Sequence, residues 1–434
     1  MMAYYVALAL RSLKRNKILT ALMVLAIAVG IGASMTMLTV LHVLSGNPIP
    51  HKSEKLYHVQ IDPRGTYGYR PGMEPPNQVT WMDGMNLLQA GKADNQALMT
   101  GGLLAVKAES SMLDPFFEPA RYTTSGFFPM FDVPFQYGHA WGARDDQGAA
   151  RVAVISHALN EKLFGGKDSV GHVLRLGGQT FQIVGVLGDW RPNPHFYDLN
   201  STSYNGNEGI YIPLSTSQEA HFRHNGSTTC WGSGADGKDM TRNTRCAWLQ
   251  FWVQLNTPAN ANAYRQFLVH YSQQQKALGR FQRPPGVRLR NVMQWLRYNQ
   301  VVPANVRLQT WLAFGFLLVC LINTVGLMLA KFMRRQGELS VRRAMGASRR
   351  TLFTQLLVES GVVGLAGGAG GLLLAMLGLW LVRHRPANYA SLAHLDASML
   401  LVTFLLAIWA SLLAGLLPAW RACYIAPASM LKSS

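Results

Sequence analysis

Four stretches of this chain are long, apolar and almost free of charge. No charged side chain lies between Lys17 and Lys52, and Ile18 to Leu41 is strongly apolar. None lies between Arg307 and Lys331. A third run, Leu352 to Leu381, contains one acid, Glu359, and a fourth lies between Asp396 and Arg421. About 20 apolar residues suffice to cross roughly 30 Å of hydrocarbon as a helix. The pattern therefore predicts four transmembrane helices, at 18–44, 308–330, 352–381 and 399–420. The first has an apolar core longer than the roughly 7–15 residues of a signal peptide. No small-x-small cleavage site follows it, so it reads as a retained anchor.

Between the first two spans, at 45–307, the pattern becomes that of a folded domain. Lys55–Ile61 alternates apolar and polar positions like a half-buried strand. Val173–Leu176 and Thr180–Leu187 do the same around Gly177–Gly178, a hairpin signal. Val152–Ile155 reads as a short buried strand before a helical His157–Phe164. Ala247–Leu255 reads as a long aromatic strand, and Ala261–Leu278 as a helix. Strands and helices mix without regular alternation, which indicates an α+β domain. Residues 190–245, rich in Asn, Gly, Ser, Thr and Pro, read as an irregular insertion. Val287–Arg307 is expected to extend the second span as a helical stalk, interrupted near Pro303.

Charge orients the spans. Charged residues are only 14% of the 434 while hydrophobic ones are 49%, yet the formal net charge is +18. Thirteen Lys/Arg sit beside the apolar runs: Arg11, Lys14, Arg15 and Lys17; Lys331, Arg334, Arg335, Arg342, Arg343, Arg349 and Arg350; Arg421 and Lys432. With one acid, Glu338, these segments account for +12 of the charge. Basic short segments mark the cytoplasmic side. The expected order is a cytoplasmic segment 1–17, an outside domain 45–307, a cytoplasmic segment 331–351, a short outside loop 382–398 and a cytoplasmic tail 421–434. The clustering explains the charge without nucleic acid, for which no recognition motif is present.

The third span carries two overlapping GxxxG spacings, Gly364/Gly368 and Gly367/Gly371. Small residues so spaced let helices approach closely in lipid, either between subunits or against the chain's own spans. Glu359 lies nine residues after Arg350, near the cytoplasmic interface, where it is expected to be paired or wetted. Cys230 and Cys246 both fall in the outside domain and are a disulfide candidate in an oxidising compartment. Catalytic motifs are missing. Gly232–Asp239 matches GxxxxGK, but Asp239 stands where a magnesium-holding Ser/Thr is needed. No HExxH or GxSxG occurs, so no metal site, bound cofactor or catalysis is expected in the chain.

The segment GELSVRRAMGASRR (Gly337–Arg350), leading into TLFTQLLVESGVVGLAGGAGGLLL, resembles the signature of the MacB/FtsX superfamily of ABC-transporter permeases. Ala9–Gly32 is similar to that family's first span and Leu412–Lys432 to its last. Thr124–Trp141 and Arg151–Leu187 resemble the MacB-type periplasmic core. The resemblance implies a four-span subunit in the bacterial inner membrane, with both termini cytoplasmic. It implies a two-lobed periplasmic domain on a helical stalk. It also implies a second permease subunit, the same chain or a paralogue, and a cytoplasmic ATPase that supplies ATP and magnesium. No ATPase segment is recognised in this sequence, which fits the split arrangement. ATPase coupling is expected at Glu338, Leu339, Val341, Arg342, Arg343, Met345, Gly346, Arg349 and Arg350; Leu339, Val341 and Met345 would give a short helix an apolar docking face. The leading expectation is export driven through the periplasmic domain, with a periplasmic adaptor and an outer-membrane channel in a diderm host. Lipoprotein release of the LolC/LolE kind and FtsX-like signalling are the alternatives. The 263-residue outside domain is large for FtsX.

Overall fold

The computed structural model describes residues 5, 8–9, 11–12, 16–108, 114–200, 208–232, 245–384 and 397–424. Most of the 382–398 loop, the end of the tail, Lys14, Arg15, Lys432 and nearly all of Gly232–Asp239 lie outside them. The chain divides into two compact units, Met1–Ser45 with Val302–Ser434, and Gly46–Val301.

In chain order the elements are α1 (Lys17–Ser45), β1 (Leu56–Ile61), β2 (Val79–Thr80), α2 (Trp81–Ala90), β3 (Asn95–Ala108), β4 (Phe116–Thr123), α3 (Phe127–Met130), β5 (Phe135–Gly138), α4 (Ala143–Gln147), β6 (Val152–Ile155), α5 (His157–Phe164), β7 (Val173–Leu176) and β8 (Gln179–Leu187). They continue with β9 (Ile210–Pro213), α6 (Leu214–Glu219), β10 (His224–Asn225), β11 (Thr229–Cys230), β12 (Cys246–Gln254), α7 (Pro258–Ala277), β13 (Val287–Asn291), α8 (Val292–Tyr298), α9 (Ala304–Met333), α10 (Gln336–Ala344), α11 (Arg349–Arg383) and α12 (Ala397–Tyr424).

The inserted unit is built on one mixed sheet path, β13-β1-β12-β3-β4-β9-β6-β8-β5. Alternate side chains of a strand point to opposite faces, and here both faces are buried. Val59, Leu98, Val106, Ile155, Ile183 and Phe251 pack under Leu87 of α2, Leu159 of α5 and Leu268 of α7. Their neighbours Ala97, Met99, Val154 and Trp252 pack against Phe127 of α3 and Trp295 of α8. The expected two lobes are thus joined by a continuous sheet, and the unit is compact as a whole. Gly177 and Gly178 have φ of 54° and 86°, the left-handed pair that a two-residue hairpin needs, and they connect β7 to β8.

Two expectations are corrected. Residues 190–245 are not simply irregular. Within them β9 runs parallel to β4, and β11 pairs with β12. Cys230 and Cys246 stand directly opposite in that pair and are joined as a disulfide. Nor is Val287–Arg307 one helix. Val287–Asn291 is a strand paired with β1. Asn291 then caps α8 through a capping box with Gln294, and a new helix starts only at Ala304, after Pro303.

In the other unit, α1, α9, α11 and the 401–421 part of α12 are long and apolar enough to cross a membrane. α1 lies against α9 and α11, and α12 lies against α11 and α9. Their shared core includes Met23, Ile27, Ile31, Leu317, Val363 and Ala375. The glycines of α11 bring it close to α1. A Cβ on Gly367 would lie 2.6 Å from Ile27 Cγ2, and one on Gly371 would lie 2.8 Å from Ile31 Cβ. Gly364 and Gly368 are buried on the same helix. Gly367 and Gly371 therefore serve packing within the chain.

Candidate coupling site

The last turn of α9, the short helix α10 and the first turns of α11 form one charged assembly. Arg334 ends α9. Gly346, at φ 98°, breaks the chain after α10, a conformation that favours glycine. Ser348 then caps α11 by accepting a hydrogen bond from the Thr351 amide at 3.2 Å. Three short-range signals therefore place α10 as a separate helix between two spans.

Its inner face is tied down by charge. Arg342 donates to Glu338 at 2.9 Å and to Gln355 of α11 at 3.1 Å. Arg335 reaches Glu338 at 3.4 Å and Glu359 at 3.3 Å. Lys331 sits 2.6 Å from the other Glu359 oxygen. Lys331 and Glu359 are both almost completely buried. Ser12, near the start of the chain, donates to Glu359 and accepts from Arg335 at 2.7 Å. A buried ion pair is weak evidence of net stability, yet removing one partner costs about 3–5 kcal/mol because a charge is stranded. Glu359 thus locks the ends of α9 and α11, the N-terminal segment and the start of α10 into one arrangement.

The outer face of α10 is open. Val341 is 59% exposed, and Met345, one turn later, is 76% exposed. Arg349 and Arg350 at the start of α11 are also exposed, while Arg343 is partly buried. Nothing is described of the Leu339 side chain. Seven of the nine expected coupling residues thus divide into two groups. Glu338 and Arg342 belong to the inner lock, and Val341, Met345, Gly346, Arg349 and Arg350 to the exposed surface. Sequence reasoning singled out Glu359 without its partners Lys331, Arg335 and Ser12. Ser12 is 347 positions away, and no local spacing reveals such a pairing. Among the described residues, no group of three or more His, Cys, Asp or Glu is arranged to hold a metal ion.

Residues 20–269 match the MacB-like periplasmic core domain family, and residues 311–427 match the FtsX-like permease C-terminal family. The chain is a MacB/FtsX-family ABC transporter permease. The permease is 27% identical to the pyoverdine export ATP-binding/permease protein PvdT of Pseudomonas syringae pv. tomato, over 70% of this chain and 42% of that one. It is 23% identical to PvdT of Pseudomonas aeruginosa over 96% of this chain and 57% of that one. It is 24% identical to the macrolide export ATP-binding/permease protein MacB of Bdellovibrio bacteriovorus, over 68% and 41%. The permease therefore spans from about two fifths to about three fifths of the length of these relatives. The periplasmic region of MacB from Actinobacillus actinomycetemcomitans aligns with TM-score 0.37 and 11% identity, over 58% of this chain and 95% of that one.

Proposed function

We propose that this permease couples ATP hydrolysis by a partner ATPase to a conformational change in its inserted domain, and that this change drives export. The observation carrying the proposal is α10: a short helix between two spans, anchored inward by Glu338, Arg342 and the Glu359 lock, with Val341 and Met345 exposed outward. Soluble proteins leave scattered apolar side chains on their surfaces without consequence. A pair one helical turn apart, flanked by Arg349 and Arg350, suits a groove that is apolar at its floor and acidic at its rim.

In this reading the basic segments face the cytoplasm and the inserted domain faces the periplasm across the inner membrane. The disulfide between Cys230 and Cys246 supports an oxidising location for that domain. ATP and magnesium act in the ATPase, and this chain is not itself catalytic. A second permease subunit completes the transporter; an adaptor and an outer-membrane channel would extend it in a diderm host.

The test is co-purification of a candidate partner ABC ATPase with wild type and with Val341→Glu plus Met345→Glu. Both positions are exposed, so the variant is expected to fold. Loss of co-purification and of ATPase stimulation is the expected result. An unchanged complex with unchanged stimulation would remove α10 as the docking element.

A further inference from the structure

Two of the spans, α1 and α9, form an open crevice at the end opposite α10. Its volume is about 560 Å³. Leu38 and Leu41 of α1 form one wall, and Thr310, Trp311 and Phe314 of α9 form the other. Ser45 and Arg307 stand at the mouth. The Thr310 hydroxyl donates to the Val306 carbonyl at 2.8 Å, so the one polar side chain on the α9 wall is already satisfied. The remaining wall is aliphatic and aromatic.

Three observations decide what such a crevice takes. It lies between two helices long and apolar enough to cross a membrane. Trp311 is 77% exposed, one turn inward from Arg307, as in the aromatic belt at a membrane interface. Arg307 is exposed, and no acidic side chain among the described residues pairs with it. Arg307 and Lys331 are separated on α9 by about 36 Å at 1.5 Å per residue, which brackets the roughly 30 Å hydrocarbon thickness. Arg307 therefore sits at headgroup depth, directly above an apolar slot.

We propose that this crevice is a binding site for an anionic phospholipid, with one acyl chain between Leu41 and Phe314 and the phosphate held by Arg307. Phosphate and guanidinium pair strongly and directionally. The volume of the slot, about 560 Å³, falls within the roughly 300–1,000 Å³ of small-molecule sites. The lipid would fill the space between α1 and α9 at the far end from the Glu359 lock. The inference does not depend on ATPase coupling.

The test uses the full chain in detergent, with phosphatidylglycerol and phosphatidylcholine of identical acyl chains as probes, read by native mass spectrometry. The wild type is expected to retain phosphatidylglycerol about tenfold better than phosphatidylcholine. Arg307→Gln should abolish that preference, Arg307→Lys should keep part of it, and Leu41→Trp should weaken retention of both lipids. Equal retention of the two lipids by the wild type would overturn the proposal, as would a preference that survives Arg307→Gln. A second copy of the chain is the competing occupant. Efficient disulfide formation between copies carrying Trp311→Cys, in vesicles rich in phosphatidylglycerol, would also overturn it.

Discussion

His58 lies on β1 with its ring stacked on Trp295 at 3.7 Å, fully buried. Neither of its ring nitrogens has a hydrogen-bond partner among the described residues. Burial, helped by the nearby Arg290 charge, lowers its pKa to about 3. The folded state therefore holds His58 neutral where the unfolded chain, with a pKa near 6.5, takes up a proton. The resulting stability is complete above pH 6.5 and declines as pH falls towards 3. Between pH 7 and pH 5 the loss should be on the order of 2 kcal/mol. Tryptophan-detected denaturation of the full chain should show it, and His58→Phe should flatten the curve. A second buried group sits at Arg121, which pairs with Asp198 at 2.7 Å and also with Glu208. Burial alone would raise the Glu208 pKa, but Arg121 and His195 hold it below the ordinary 4.5. Its contribution is present above pH 4.5 and lost as pH falls further. Arg121→Met should cost about 3–5 kcal/mol in the same assay, since two carboxylates would be stranded. Neither site was legible in the sequence. His58 alternates correctly along β1, but its aromatic partners come from β12 and α8. Glu208 belongs to a segment whose polar composition reads as loop.

Legibility at the level of elements followed periodicity. The four apolar runs, the Gly177–Gly178 hairpin and the helix His157–Phe164 were readable because each carries its signal locally. Ile210–Pro213 was not, since four residues flanked by Gly and Leu do not establish a period. Val287–Asn291 was misread for a different reason. Its alternation of Val287, Arg288, Leu289 and Arg290 is a strand pattern, but the apolar residues of α8 follow at once and suggest one helix. Arg290 spends its charge within the domain, on Glu74 at 2.8 Å and over the Tyr298 ring at 3.9 Å. The two GxxxG spacings identified a close-packing face without identifying its partner; the facing Ile27 and Ile31 supply it for Gly367 and Gly371. Gly371→Val should therefore separate α11 from α1 and cost about 1–3 kcal/mol or more, seen as a lower denaturation midpoint in detergent. Replacing both Cys230 and Cys246 with serine should cost about 2–4 kcal/mol. In the wild type, alkylation under non-reducing conditions should label neither cysteine.

The whole molecule is two units with separate cores, one spanning and one inserted. The family to which it belongs was legible because its signature lies in one continuous segment, Gly337–Arg350. How that segment is anchored was not legible, because Ser12, Lys331 and Glu359 meet only once the helices have packed. In the proposed coupling, motion imposed on α10 would pass through the Arg335–Glu359 lock into the spans and so to the inserted domain. A charge exchange, Lys331→Glu with Glu359→Lys, should restore part of the function that either single change removes. The most direct test is amide hydrogen exchange of the permease reconstituted with its ATPase, with and without ATP. The account predicts an ATP-dependent change in exchange within residues 46–301 that disappears in Val341→Glu with Met345→Glu. An inserted domain indifferent to ATP, or a response that persists in that variant, would contradict it.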